Sequence, residues 1–149
     1  MKDTIHSKRP VAVPNVVKLE FFSRSENVSL ARLAAAAMAA ERQISMAELD
    51  ELKVAVSEAV SNAIIHGYQG KEDGLITMTL ISSAQRLSIS VHDDGVGIED
   101  VEQAMKANFS SSGERMGLGF AFMQAFTDGV EVTSYPGAGA TVVLHKDFL

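Results

Sequence analysis

The sequence predicts an α+β fold, a two-layer sandwich in which one mostly antiparallel mixed sheet carries helices on one face. Two observations lead there. Strand-like segments come as neighbouring pairs, Leu75 to Ile81 with Leu87 to His92 and Val130 to Tyr135 with Thr141 to Leu144, and helical segments fall in blocks between them. The chain contains no internal repeat, and the strict strand–helix alternation of a doubly wound parallel sheet is missing, so a Rossmann fold is not expected.

Residues 1–15, with Pro10 and Pro14, read as a mobile leader. After it Val17, Leu19 and Phe21 alternate with Lys18, Glu20 and Phe22, which predicts a first strand with one face more buried than the other. Val28 to Arg42 is Ala-rich and strongly helix-forming, with Leu30, Leu33, Ala34, Ala37 and Met38 as its expected apolar stripe. Ser45 followed by Glu48 is a capping-box signature that opens a second helix, and Gly67 stops it after Ile65 or His66. Ser-Ser-Ala-Gln-Arg joins the next two strands as a hairpin connection. Asp100 to Ala107 is expected as a short helix, Asn108 to Met116 as a polar loop, and Leu118 to Phe126 as a further helix. A final hairpin turns at Pro136-Gly137-Ala138-Gly139.

Bulk properties narrow the function classes. A chain of 149 residues fits one domain, and at 46% hydrophobic and 21% charged it has the composition of an ordinary globular protein. The net charge of −6 argues against a nucleic-acid footprint while leaving room for a basic protein partner. The absence of cysteine excludes disulfides, thiolate metal sites and a Cys nucleophile. His6, His66, His92 and His145 show no metal-ligand spacing. The start has no apolar core leading to a cleavage site, and the Leu30 to Ala40 run is too short to span a bilayer, so a cytoplasmic location is expected.

Two segments carry the chemistry. On the second helix, Leu49, Leu52, Val56, Ala59, Val60 and Ala63 gather on one side, while Glu58 and Asn62 form a polar patch nearly opposite. Either that patch is simply the water-facing side of an amphipathic helix, or a ligand covers it. In the second case an Asn oxygen can complete the octahedral shell of a phosphate-bound Mg²⁺, and a Glu one turn earlier can deprotonate a nucleophile. Asp93-Asp94-Gly95-Val96-Gly97 likewise has two readings. It is a turn leaving a strand, or a carboxylate that accepts the amino group of adenine beside glycines that let a flat base approach. Gly117-Leu118-Gly119 at a helix start either permits close packing or presents amides to a phosphate.

The Glu-x-x-x-Asn helix, the Asp-x-Gly-x-Gly loop and the later Gly-x-Gly resemble the N, G1 and G2 boxes of the GHKL superfamily. From Ser57 to Tyr68, Ser-Glu-Ala-Val-Ser-Asn-Ala-Ile-Ile-His-Gly-Tyr is similar almost residue for residue to the anti-sigma F serine kinases of spore-forming bacteria, and the likeness runs from about Leu19 to Leu144. The resemblance implies the Bergerat ATP-binding sandwich over residues 16–149. It further implies a homodimer that holds a sporulation sigma factor and, with Mg²⁺ and ATP, phosphorylates a serine of an anti-anti-sigma protein of STAS type.

By position, the resemblance makes Glu58 the general base, Asn62 the Mg²⁺ ligand and Asp93 the adenine acceptor, with Gly95 and Gly97 walling the base pocket. It makes residues 108–116 a lid over the phosphates, places Arg115 near the γ-phosphate and gives Gly117 and Gly119 backbone amides to present. Thr141 becomes an adenine-side contact, and Arg32 on the first helix touches the sigma factor. The chain departs from the pattern in a lid about two residues short, in Gly139-Ala140-Thr141 lacking one hydroxyl, and in Val28 replacing an acidic residue. A second reading, from another class, is a nucleotide-dependent module that binds a sigma factor or other partner without significant kinase activity, and a general-stress anti-sigma relative is a further alternative. The catalytic domain of a two-component kinase is disfavoured, because no dimerisation helix bearing a phosphoacceptor His is found.

Overall fold

The computed structural model describes residues 13–106 and 114–148, apart from the side chains of Glu114 and Arg115. Five strands form one sheet in the order β1-β2-β3-β5-β4: β1 Asn15–Phe22, β2 Leu75–Ser82, β3 Arg86–Asp93, β4 Gly129–Ser134 and β5 Ala140–Asp147. Each neighbouring pair is antiparallel, so among the described residues the sheet shows none of the expected mixed character, and both predicted hairpins form. Helices α1 Asn27–Ala40, α2 Met46–Asn62, α3 Val101–Ala104 and α4 Glu114–Phe126 complete the fold.

Period-two alternation sorts each strand into a dry and a wet face. Ile76, Met78 and Leu80 of β2, Leu87, Ile89 and Val91 of β3, and Val142 and Leu144 of β5 all face the helical layer and are buried. Thr77, Thr79, Ser88, Ser90, Thr141 and Val143 alternate with them and stay half-exposed. The dry face ends in a charge at each extreme. Asp93 finishes β3, and Lys146 near the end of β5 is buried between Glu48, at 3.6 Å, and Asp128, at 3.7 Å.

Helix α2 is the spine of the helical layer. Ser45 and Glu48 close the capping box reciprocally at 3.1 Å each way, satisfying two orphan donors of the first turn. Leu52, Ala55, Val56, Ala59 and Val60 are buried. Leu52→Ala is expected to cost about 2–5 kcal/mol of stability, read as a lower denaturant midpoint at unchanged slope, because a fully buried branched side chain would leave a cavity.

Helix α1 buries a different stripe from the expected one. Ala31, Ala35, Ala36 and Ala39 face inward, whereas Leu30 and Leu33 are 51% and 62% exposed. Methyl-sized side chains let α1 lie close against α2, and the larger leucines then point out. Helix α4 also departs from expectation, beginning at Glu114 rather than Leu118 and running through both glycines. Helix α3 is shorter than expected, capped by the Asp100 carboxylate accepting from the Gln103 amide at 3.0 Å.

Candidate active site

Three elements converge where α2 ends. After Asn62 the helix widens into a π-helical turn, Ala63–Gly67, a distortion often found at functional sites. The loop after β3 packs directly onto it. The Val96 amide donates to the Gly67 carbonyl at 3.0 Å, and a Cβ on Gly95 would lie only 2.0 Å from that oxygen. Only glycine fits there. Gly97 has φ +76°, a left-handed conformation that costs glycine little, and it turns the loop beneath the β4–β5 hairpin, where the Gly137 amide donates to the Val96 carbonyl at 2.7 Å.

Between these elements lies a pocket with apolar walls from Val91, Ile98, Met116, Phe120 and Val142, and polar side chains from Asn62, His66 and Asp93. Asp93 is 5% exposed, its Oδ1 accepting from the Gly95 amide at 2.9 Å. Burial pushes its pKa up, and the Gly95 and Ala140 backbone hydrogen bonds pull partly the other way. A carboxylate paying this cost at an apolar pocket's end is the kind of group that a ligand donor would complete.

Glu58 and Asn62 are half-buried rather than water-facing, because α4 covers their side of α2. The covering surface is Gly119. A Cβ there would come within 2.9 Å of Glu58 Oε2 and 3.4 Å of Asn62 Nδ2. Asn62 Nδ2 is buried with no hydrogen-bond partner among the described residues. An orphaned carboxamide lining the pocket fits a ligand that brings its own polar atoms, as a nucleotide with Mg²⁺ does. Among the described residues no cluster of three His, Asp or Glu side chains could hold a metal alone, so such an ion would rely on Asn62, phosphate oxygens and water.

The other predicted residues divide. Gly97 borders both the pocket and the adjoining cleft, and Gly95 borders the cleft. Gly117 lies in the first turn of α4, and Gly119 lies in the second, where helix amides are spent on the ladder, so Gly119 serves close packing rather than amide presentation. Arg115 has its backbone in α4, but its side chain, like residues 108–113 of the predicted lid, lies outside the described residues. Arg32 is away from the pocket, donating to Ser29 Oγ at 3.2 Å and Ser57 Oγ at 3.5 Å.

Thr141 is not a pocket residue. Strand parity puts Ala140 and Val142 on the pocket wall and turns Thr141 to the opposite face, where its hydroxyl meets His92 Nδ1 at 2.7 Å. The expected adenine-side hydroxyl is therefore absent, and the Ala140 methyl stands there instead. The sequence reading also passes over Phe120, buried in the pocket wall, and Tyr68, whose hydroxyl reaches the Asp93-Asp94 loop.

An antiparallel sheet under a helical layer, with its pocket between a helix end and a glycine loop, defines a histidine kinase-like ATPase domain, and residues 21–146 match the model of that family. A histidine kinase domain from the Erythrobacter litoralis EL346 blue-light activated histidine kinase shares the fold, with a TM-score of 0.56 at 20% identity over 81% of this chain. The chain spans 60% of that structure's length. Curated relatives are nearer in sequence. The anti-sigma F factor of Clostridium beijerinckii is 43% identical over 136 residues, covering 90% of this chain and 95% of that protein. That of Thermoanaerobacter sp. strain X514 is 46% identical over 134 residues, covering 89% and 93%. That of Geobacillus kaustophilus is 43% identical over 134 residues, covering 89% and 92%. The chain belongs to the anti-sigma F factor family.

Proposed function

We propose that residues 16–149 act as one cytoplasmic serine kinase and anti-sigma domain. As a homodimer with Mg²⁺ and ATP it holds a sporulation sigma factor, and it phosphorylates a serine of a STAS-type anti-anti-sigma protein. The observation that carries this reading is a pocket lined by both Asn62 and the buried Asp93 carboxylate, with Glu58 one helical turn before Asn62 and half-buried against Gly119. Among the described residues no helix is long and apolar enough to cross a membrane.

Bound nucleotide and its metal supply the transferable phosphoryl group and the divalent charge. Asp93 accepts the adenine amino group, and Val91, Ile98 and Phe120 exclude water from the base. The Asn62 carboxamide oxygen would hold the metal. Glu58 takes the proton of the attacking serine hydroxyl, with Arg115 meeting phosphate charge from the first turn of α4. Arg32, on α1 beside the exposed Leu33, faces the sigma factor. Phosphoryl transfer needs little covalent help, so positioning carries most of the acceleration.

The test is incubation with labelled ATP, Mg²⁺ and the anti-anti-sigma partner, followed by mapping of the label. Phosphate on one partner serine supports the kinase. Nucleotide binding without transfer would instead mean a binding module, the reading that a base placed beside Gly119 disfavours. Gly119→Ala separates stability from chemistry. It should gain up to about 1 kcal/mol of helix stability while slowing transfer, since the new methyl displaces the Glu58 carboxylate from 2.9 Å. A faster or unchanged transfer rate would count against Glu58.

A further inference from the structure

We propose that Thr141, His92 and Tyr68 are positioning residues for nucleotide binding, a clamp behind the pocket that fixes the loop carrying Asp93 through its neighbour Asp94. The proposal rests on the reading of the pocket as a nucleotide site.

Asp93 is the last residue of β3, so its carboxylate is only as well placed as the chain that follows it. Asp94 is gripped twice. Its amide donates to the Tyr68 hydroxyl at 2.8 Å, and its carboxylate Oδ1 lies 2.8 Å from His92 Nε2. Each grip is anchored elsewhere in the fold. The Tyr68 hydroxyl donates onward to the Leu75 carbonyl at the start of β2, and its ring sits so close over Gly74 that a Cβ there would come within 2.4 Å. His92 faces Thr141 across the β3–β5 pairing, with Nδ1 and the hydroxyl 2.7 Å apart.

One arrangement of protons satisfies the whole chain. The Thr141 hydroxyl donates to His92 Nδ1, the protonated His92 Nε2 donates to Asp94, and the carboxylate ends the line. Neither the Thr141 hydroxyl nor the His92 ring lines the pocket, and Tyr68 borders only the neighbouring cleft. Their effect is on the loop. A loop already held in its binding position pays less ordering cost when the base arrives, so the clamp shows in affinity. Thr141 keeps a function, but it acts on the ligand through His92 and Asp94.

Titration calorimetry of the full chain with ADP and Mg²⁺, alongside ligand-free melting, tests this. Thr141→Val keeps the β-branched shape and removes the hydroxyl, and Tyr68→Phe removes the other grip. Each should weaken ADP binding roughly three- to tenfold, the value of one net hydrogen bond, with little change in the ligand-free midpoint. Thr141→Ser should restore the affinity. Unchanged affinity in Thr141→Val, equal loss in Thr141→Val and Thr141→Ser, or losses that merely follow the melting temperature would each overturn the clamp while wild type still binds. No binding by wild type would overturn the nucleotide site itself, and the clamp with it.

Discussion

Glu58→Gln is expected to lower the rate of serine phosphorylation by about 10²–10⁴-fold, the usual worth of a positioned general base. Glutamine keeps the length and planar end of the side chain, so its contact with Gly119 survives and ADP affinity should change by less than about twofold. What it removes is the basic carboxylate that takes the serine proton. Single-turnover transfer from labelled ATP to the partner protein, measured beside ADP titration, separates the two effects. A variant that transfers as fast as wild type would remove Glu58 from the chemistry. A variant that loses nucleotide affinity in proportion would make Glu58 a binding group instead.

The contrast between elements that the sequence reveals and those it hides has a physical basis. The α2 start is legible because its signal is local, with Ser45 and Glu48 satisfying each other within one turn. Asp93 is legible twice over, as the acid before two glycines and as the next inward place after Leu87, Ile89 and Val91. The α1 face is not legible in the same way. In a run of alanines, hydrophobic contrast is too weak to choose a side, and the choice falls to the closeness that α2 permits. Gly117 and Gly119 mislead for a related reason. They read as a helix start, yet α4 begins before them and runs through both, packing along α2, where a Cβ on Gly119 would meet the Glu58 carboxylate.

Thr141 shows where resemblance overrides a simpler rule. With Val142 and Leu144 inward, period two already assigns Thr141 outward, and matching it to a motif position obscures that parity. Tyr68 could not be read at all from local pattern. Its partner Asp94 lies 26 residues away and meets it only once the π-turn and the loop are packed. Groups that act over long sequence separations need the fold before they acquire a role.

Asp93→Asn should act in opposite directions on binding and on stability. In the wild type one carboxylate oxygen accepts from the Gly95 amide while the other remains an acceptor for the base. An amide in the same place turns one of those acceptors into a donor, so either the Gly95 amide or the adenine amino group meets a like partner. The loss of a hydrogen bond to a charged group, about 1.5–3 kcal/mol, corresponds to about 10- to 150-fold weaker ADP binding. Stability moves the other way. Burial raises the folded-state pKa of Asp93 above its ordinary 3.8, so the fold binds this proton more tightly than the unfolded chain does. The stabilising contribution is full below that ordinary value and is lost as pH rises through the raised folded value, which leaves the ionised side chain a net cost at neutral pH. Asparagine carries no such cost. The ligand-free variant should melt above wild type at pH 7, and the gap should close as the pH is brought down to about 4. A variant that binds ADP normally would remove Asp93 from base recognition. One that melts lower than wild type at pH 7 and not at pH 4 would show that the ionised carboxylate stabilises this loop.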